Sequence, residues 1–390
     1  MKVITIAFNR FHIYDQAREL ENNNLLVRMI TNYPKYRSRD FEISDKFVFS
    51  LLFTGVVNFI RIKLCNKINP NINSNIIKYL HNKFSKDVVR HIPNDIDIAI
   101  FLSSFGLEGI EFCNNNNIIS ISDHGSVYLP YQFKIIEEER RIFDLEPSIN
   151  HNKWIIEKEL KEFNSADYIL LGSNFAKETF LQNGFLENKI IVNNYGVDLE
   201  SFRKIDKSDK VFRIIFVGSV NINKGIHYLL KAFNILNLEN SELWVIGGGY
   251  PNKDIDTVFK KMDINFKNVY FKGSFPQAEL YKYYSQASVF CLPSLSDGFG
   301  MVVPQALACG LPVIVSENTG AKDIVKEDYN GYVIPIRDVE SIKEKLSYLY
   351  ENKQKLITMS NNALQSVKYG LTWEDYGNRL TKDLKKAMEK

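Results

Sequence analysis

Three short stretches of this chain combine a charged or titratable side chain with glycines where a strand hands over to a helix. In Ala287 to Val315, a short apolar run with β-branched residues (Ser288 to Leu292) ends in a Pro-Ser loop. Asp297-Gly298-Phe299-Gly300 then leads into a helix that Gly310 closes before a second strand, Pro312 to Val315. Glycines at such a turn let backbone N–H groups at a helix start approach an anion closely, so the stretch reads as an acid beside a phosphate-ready helix end. In Gly218 to Gly225, Lys224 lies between an apolar strand and the helix Ile226 to Leu236. A lysine there is a cation placed where a diphosphate would lie against helix N–H groups. In the third stretch, Asp123-His124-Gly125-Ser126 follows the strand Ile118 to Ser122. A histidine in a glycine-bearing loop at a strand end is a better site candidate than one on an apolar helix.

The elements that must position these residues alternate along the chain. Apolar strand-like runs at Val3 to Ala7, Val27 to Thr31, Ile98 to Leu102, Ile118 to Ser122, Tyr168 to Gly172 and Ile190 to Asn193 are separated by amphipathic stretches such as Asp15 to Asn22 and Lys153 to Phe163. That alternation predicts a parallel sheet. From Asp198 to Lys210 the sequence turns charged, with almost nothing to bury, and reads as a linker. A second alternation begins at Phe212, with strands at Arg213 to Val217, Leu243 to Ile246, Val269 to Lys272, Ser288 to Leu292 and Val313 to Val315. The predicted class is α/β, with two Rossmann-like domains (1–200 and 201–371) facing each other across a cleft. Thr372 to Lys390 is an amphipathic helix with Trp373, Tyr376, Leu380 and Leu384 on one face. The Asn22 to Asn24 and Asn114 to Asn117 clusters read as turns.

At 390 residues, 45% of them hydrophobic, the chain can bury large cores, and 49 basic against 46 acidic residues argue against a nucleic-acid partner. Cys65, Cys113, Cys291 and Cys309 are scattered among apolar neighbours, which predicts buried, reduced thiols and a cytoplasmic protein. The N-terminus MKVITIAFNR reads as a strand and carries no export signal. Phe47 to Ile60 is almost uncharged and is followed by Arg61, Lys63 and Lys67. It is too short to span a bilayer, and two readings stay open: a core-packed helix, or an interfacial helix at an anionic leaflet.

The stretch from Asp297 to Val313 resembles the signature of the retaining, nucleotide-sugar-dependent glycosyltransferases of family 4 (glycosyl transferases group 1), which carry the two-domain GT-B fold. That signature is Glu-Gly-Phe-Gly, four variable residues, then Glu-Ala-x-Ala-x-Gly-x-Pro-Val. Here Asp297 stands for the first glutamate and Gln305 for the second, which in the family holds the ribose hydroxyls of the donor nucleotide. A glutamine still accepts one hydrogen bond and donates another to a diol, without the charge-assisted bond. Gly218 to Gly225 resembles the family's Gly-Arg-Leu-x-x-x-Lys-Gly element, with Ser219 in place of the arginine and Lys224 retained. Gly247 and Gly249 match a Gly-x-Gly turn beneath the donor, and Gly273-Ser274-Phe275 the segment whose backbone reads the base. By resemblance, Ser294, Gly298, Phe299 and Gly300, with the N–H groups of Met301 and Val302 toward phosphate, complete the donor cradle. Many relatives have a His-Gly that contacts the transferred sugar where this chain has His124-Gly125. Arg10 and His12 fall in the first strand-to-helix loop, where the family often has glycines that admit acceptor or diphosphate. Resemblance to one branch of the family extends over His12 to Pro34 and Ile156 to Phe202, and the C-terminal helix is implied to cross back to the N-terminal domain.

The resemblance implies a retaining transfer of a sugar from a nucleotide diphosphate sugar to a glycan or lipid-linked glycan acceptor, with no cofactor beyond that co-substrate. Lys224, Asp297 and His124 are the expected catalytic set. No metal is expected: Asp95-Ile96-Asp97 and Asp254-Ile255-Asp256 have Asp-x-Asp spacing but read as boundary residues away from the cleft edge. Ser219 and Gln305 keep a second class open, a nucleotide- or carbohydrate-binding subunit without turnover. A nicotinamide dehydrogenase is disfavoured because the first loop lacks Gly-x-Gly-x-x-Gly.

Overall fold

The computed structural model describes residues 1–64, 70–147 and 153–389. The N-terminal sheet contains β1 (Val3–Ala7), β2 (Leu26–Thr31), β3 (Val48–Ser50), β4 (Ile98–Leu102), β5 (Ile119–His124), β6 (Tyr168–Leu171) and β7 (Ile190–Val192), in the order β3-β2-β1-β4-β5-β6-β7. The second sheet contains β8 (Phe212–Val217), β9 (Ser241–Ile246), β10 (Val269–Gly273), β11 (Val289–Leu292), β12 (Val313–Ser316) and β13 (Gly331–Ile334), in the order β10-β9-β8-β11-β12-β13. Neighbouring strands run parallel in both. Every residue of β1, β4, β8 and β11 is buried, which is why these strands read as near-continuous apolar runs: helices cover both faces. The strand order reverses between β1 and β4 and again between β8 and β11. In open α/β sheets, ligands collect outside the carboxyl ends of the strands at such reversals.

Several elements differ from the sequence expectation. The apolar run from Phe47 is not one helix: Val48 and Phe49 pair with Met29 and Ile30 as an edge strand, and the helix runs from Leu52 to Leu64. Strand β5 continues through His124, two residues beyond the expected end. The charged stretch from Asp198 is strapped to the C-terminal domain rather than free. Phe202 is buried there, Arg203 lies 4.4 Å over the Tyr281 ring, and the Ile205 and Ser208 N–H groups donate to Ser285 Oγ and Gln286 Oε1. Cys113, Cys291 and Cys309 are buried free thiols, and burial pushes Cys113 and Cys309 up to about 12; Cys65 lies outside the described residues.

The last helix, Trp373–Met388, opens with a capping box between Thr372 and Asp375 and buries Trp373, Tyr376, Leu380 and Leu384. It packs against the helix Ile13–Asn22 of the N-terminal domain. Gly377 permits the approach: a Cβ there would stand 2.6 Å from Glu19 Cβ. Gln16 Nε2 donates to Tyr376 Oη at 2.9 Å, which ties the two helices together through a buried polar bond.

Candidate active site

The loops after β8 and β11, the strands that flank the second reversal, are zipped together. Asn221 accepts the Lys224 N–H at 3.2 Å and closes a tight turn that ends in Gly225 at φ 64°. A Cβ on Gly225 would lie 1.9 Å from the Pro293 carbonyl oxygen, so only glycine lets the turn sit on the β11 loop. The Leu295 N–H donates to Asn223 O at 2.8 Å, and Asn223 Nδ2 to Ser296 O at 3.1 Å. The result is an ion pair at the switch point, with Lys224 Nζ 2.5 Å from Asp297 Oδ2 and both side chains mostly buried. Ser294 Oγ, Ser296 Oγ and Asn223 Oδ1, buried in the same two loops, have no partner among the described residues. Such groups are costly to leave unpaired and suit a polyhydroxylated or phosphorylated ligand.

The remaining donor candidates gather at the carboxyl ends of β8 to β10. The Gly218 N–H donates to Ile246 O at 2.9 Å and the Gly247 N–H to Gly273 O at 2.9 Å, so Gly218, Gly247, Gly249 and Gly273 are brought to one edge of the sheet. A Cβ on Gly247 would lie 1.9 Å from Gly218 O. Ser219 and Ser274 are exposed at this edge, and the Phe275 ring stacks 4.1 Å from Tyr283. Gly300 follows Phe299 at φ 84° and turns the chain into the short helix Val302–Ala308, which Met301 precedes. Gln305 is buried on that helix with Oε1 3.4 Å from Tyr284 Oη. Met301, Gln305 and Arg10 line one 210 Å³ cavity between the domains. A larger cavity of 1110 Å³ opens beside the Asp198–Ser201 segment, and neither Lys224 nor Asp297 lines it.

From the N-terminal side, Gly125 and Ser126 abut Gly298: a Cβ on Gly298 would stand 2.5 Å from Ser126 Cα. Ser173 Oγ donates to Gly298 O at 2.6 Å, so the Asp297 loop is gripped from both domains. The two histidines differ from expectation. His124 is expected to contact a sugar, yet its ring is buried, with Nδ1 2.8 Å from Ser103 Oγ and Nε2 3.0 Å from Val127 O. Burial pushes its pKa down to about 4, so the ring is neutral, and both nitrogens are spent within its own domain. Its position as the last residue of β5 accounts for this. His12, expected to meet the acceptor, is buried with Nε2 2.9 Å from both Asp123 carboxylate oxygens and 3.3 Å from Tyr195 Oη. Arg10 is exposed, 4.7 Å over the Phe41 ring.

Asp95 pairs with Lys2 Nζ at 2.7 Å, and Asp97 accepts the Lys2 N–H at 2.7 Å. Asp254 corrects the reading that placed it away from the cleft: at the start of the helix Lys253–Lys261 it pairs with Arg140 of the N-terminal domain at 2.7 Å. The neighbouring Glu139, on the helix Leu129–Ile142, is a residue that sequence reasoning misses. Fully buried, it accepts from His227 Nε2 (2.8 Å), Tyr228 Oη (2.7 Å) and Arg337 Nε (2.6 Å), all in the C-terminal domain. Burial raises its pKa, but these donors outweigh burial and hold the carboxyl below its ordinary value. In sequence it sits within a Glu-Glu-Glu-Arg-Arg run, where nothing local marks it for burial.

Residues 197–366 match the family described as glycosyl transferases group 1. An uncharacterized glycosyltransferase of Methanocaldococcus jannaschii is 30% identical over 188 residues, 48% of this chain and 48% of that protein. The capsular polysaccharide biosynthesis glycosyltransferase CapM of Staphylococcus aureus is 26% identical over 260 residues, 60% of this chain and 66% of that one. The chain spans about half the length of several of the curated relatives it matches. Among solved structures, Anabaena HepE in complex with UDP superimposes with a TM-score of 0.69 at 14% identity, over 99% of this chain and 100% of that one. The fold is therefore GT-B.

Proposed function

We propose that this chain is a retaining glycosyltransferase that takes a sugar from a nucleotide diphosphate donor, a reading supported by the match of residues 197–366 to the glycosyl transferases group 1 family. The observation that carries this reading is the Lys224–Asp297 pair at the β8/β11 reversal, among glycine turns that let backbone approach a diphosphate. Lys224 supplies positive charge to the leaving diphosphate, so the transfer calls for no metal ion. Stabilising that charge is the main catalytic task, and a preorganised cation is suited to it. Asp297 holds hydroxyls of the transferred sugar once the phosphate takes its place beside Lys224. Ser219 leaves Lys224 to share this work with backbone amides, and Gln305 holds the ribose diol by neutral hydrogen bonds. The acceptor hydroxyl enters from the side of Arg10, and His124 acts by fixing Gly125 and Ser126 against Gly298 rather than by touching the sugar.

The likeness to HepE in complex with UDP makes a uridine nucleotide sugar the first donor to try, and the likeness to CapM favours a surface polysaccharide or its lipid-linked precursor as acceptor, reached at the cytoplasmic face of a membrane. The second reading, a binding subunit without turnover, draws on Ser219 and Gln305, since each missing charge-assisted bond costs about 1.5–3 kcal/mol. Incubation with UDP-, GDP- and ADP-sugars, followed by chromatography for free nucleoside diphosphate, separates the two. Slow release from one donor, quickened by an acceptor, supports the transferase; tight nucleotide binding with no release supports the subunit.

A further inference from the structure

The helix Leu52–Leu64 is amphipathic in the reversed sense. Its polar stripe faces the protein: Thr54 and Asn58 are 1% and 4% exposed, and Arg61 is half-buried. Its apolar stripe faces out, with Leu52, Phe53, Val56, Phe59, Ile60 and Leu64 each between 43% and 58% exposed. A contiguous outward apolar stripe of this kind is an interaction surface. The inward stripe anchors the helix to the loop that follows β1. Asn58 Nδ2 donates to Asn9 Oδ1 at 2.8 Å, next to Arg10, and Arg61 Nε donates to Asn58 Oδ1 at 3.1 Å. Gly55 seats directly on the end of β2, where a Cβ would lie 2.0 Å from Asn32 O.

Charge says what covers the stripe. From Lys46 to Lys86 the sequence holds seven lysines and arginines and no aspartate or glutamate, whereas the whole chain carries only +3, so the rest of the molecule is net negative. Lys63 lies 4.5 Å over the Phe59 ring, on the same outward face, and Lys78 is exposed on the next helix. A second copy of the chain would bring two positive blocks together, and a nucleic acid would leave the aromatic and aliphatic side chains uncovered. An anionic lipid surface satisfies both the charge and the apolar stripe. No helix among the described residues is long and apolar enough to cross a membrane, so this one would lie in the interface.

We propose that Leu52–Leu64 lies in the surface of an anionic bilayer, with Phe53, Val56, Phe59 and Ile60 at the acyl boundary and Lys63 among lipid phosphates. Through Asn58 and Asn9, this seating sets the acceptor side of the cleft at the lipid surface, where a lipid-linked acceptor would be presented. That last step rests on the glycosyltransferase reading above.

The test is flotation of the full chain with phosphatidylcholine vesicles and with vesicles of phosphatidylcholine and phosphatidylglycerol, at low salt and at high salt. The chain is expected to float with the anionic vesicles, at least tenfold less with the neutral ones, and less as salt rises. Phe53→Ser/Phe59→Ser and Lys63→Glu/Lys78→Glu should each cut flotation at least tenfold while thermal stabilisation by nucleotide stays as in the parent chain. Absence of flotation, or equal flotation of the variants, overturns the proposal. So does a concentration-dependent dimer that Phe53→Ser/Phe59→Ser abolishes, which would assign the stripe to a second copy. Nucleotide binding without flotation sinks only the membrane inference, whereas flotation without any nucleotide response sinks the reading of the cleft.

Discussion

Lys224 and Asp297 hold each other in a place that a diphosphate sugar would contest. On the proposed reading, a phosphate that takes over Lys224 from its partner would free Asp297 for sugar hydroxyls, so the carboxylate would oppose the nucleotide slightly and assist the sugar. Asp297→Asn is therefore expected to leave affinity for free nucleoside diphosphate unchanged or up to about tenfold tighter, while transfer falls about a hundredfold or more. Separate measurement of nucleotide Kd and of kcat checks this; parallel loss of both would mean the side chain only shapes the loop. His124 is expected to behave in the opposite way. Truncation to alanine leaves Ser103 without its ring partner and opens a hole against Phe163 and Phe180, a loss of about 2–3 kcal/mol. Denaturant unfolding should show that loss with nucleotide binding retained. A stable His124→Ala variant devoid of transfer would restore the histidine to the sugar.

Elements carry the site through buried polar contacts as well as apolar ones. On the helix Lys153–Ser165, Glu162 accepts the N–H groups of Ser104, Gly106 and Leu107 at the start of the helix Leu107–Asn115, and Glu159 bonds Ser104 Oγ. Burial pushes Glu159 up to about 7, above the ordinary glutamate value of 4.5. A carboxyl with a raised folded pKa contributes stability that is full below pH 4.5 and is lost as pH rises toward and through 7. Melting temperature should accordingly fall between pH 5 and 8 in the native chain and fall less in Glu159→Gln; an equal slope in both would show that the group is ionised throughout.

The same scale explains what the sequence reveals. Central strands such as β4 and β8 are legible because helices cover both faces and the runs are uninterruptedly apolar. The edge strand β3 is not, since its three residues merge with the apolar helix that follows. Lys224 and Asp297 stand out as candidates because glycines flank them in strand-to-helix turns. His124 lies buried rather than in an open loop because β5 runs one or two residues further than its apolar run suggests. The outward stripe of Leu52–Leu64 is likewise invisible in periodicity, which shows that a helix has two faces but not which one meets the protein.

The whole molecule is closed by contacts that no local pattern announces. Glu139 finds partners 88, 89 and 198 residues away, and they join the N-terminal domain to the C-terminal one. Glu139→Ala leaves Arg337 and His227 facing a buried gap, an expected cost of about 3–5 kcal/mol. With the domains less firmly held, the radius of gyration in small-angle scattering should rise; an unchanged radius and melting temperature would mean that other contacts, such as Ser173 to Gly298, suffice for closure. On the proposed reading, the cleft binds a nucleoside diphosphate through Lys224. The most direct test of this is thermal stabilisation by UDP, GDP and ADP in the native chain and in Lys224→Ala. One nucleotide at 100 times its Kd should stabilise the native chain by about 2.7 kcal/mol and the variant by far less. Equal stabilisation of both chains, or no response of the native chain to any of the three, would contradict the account.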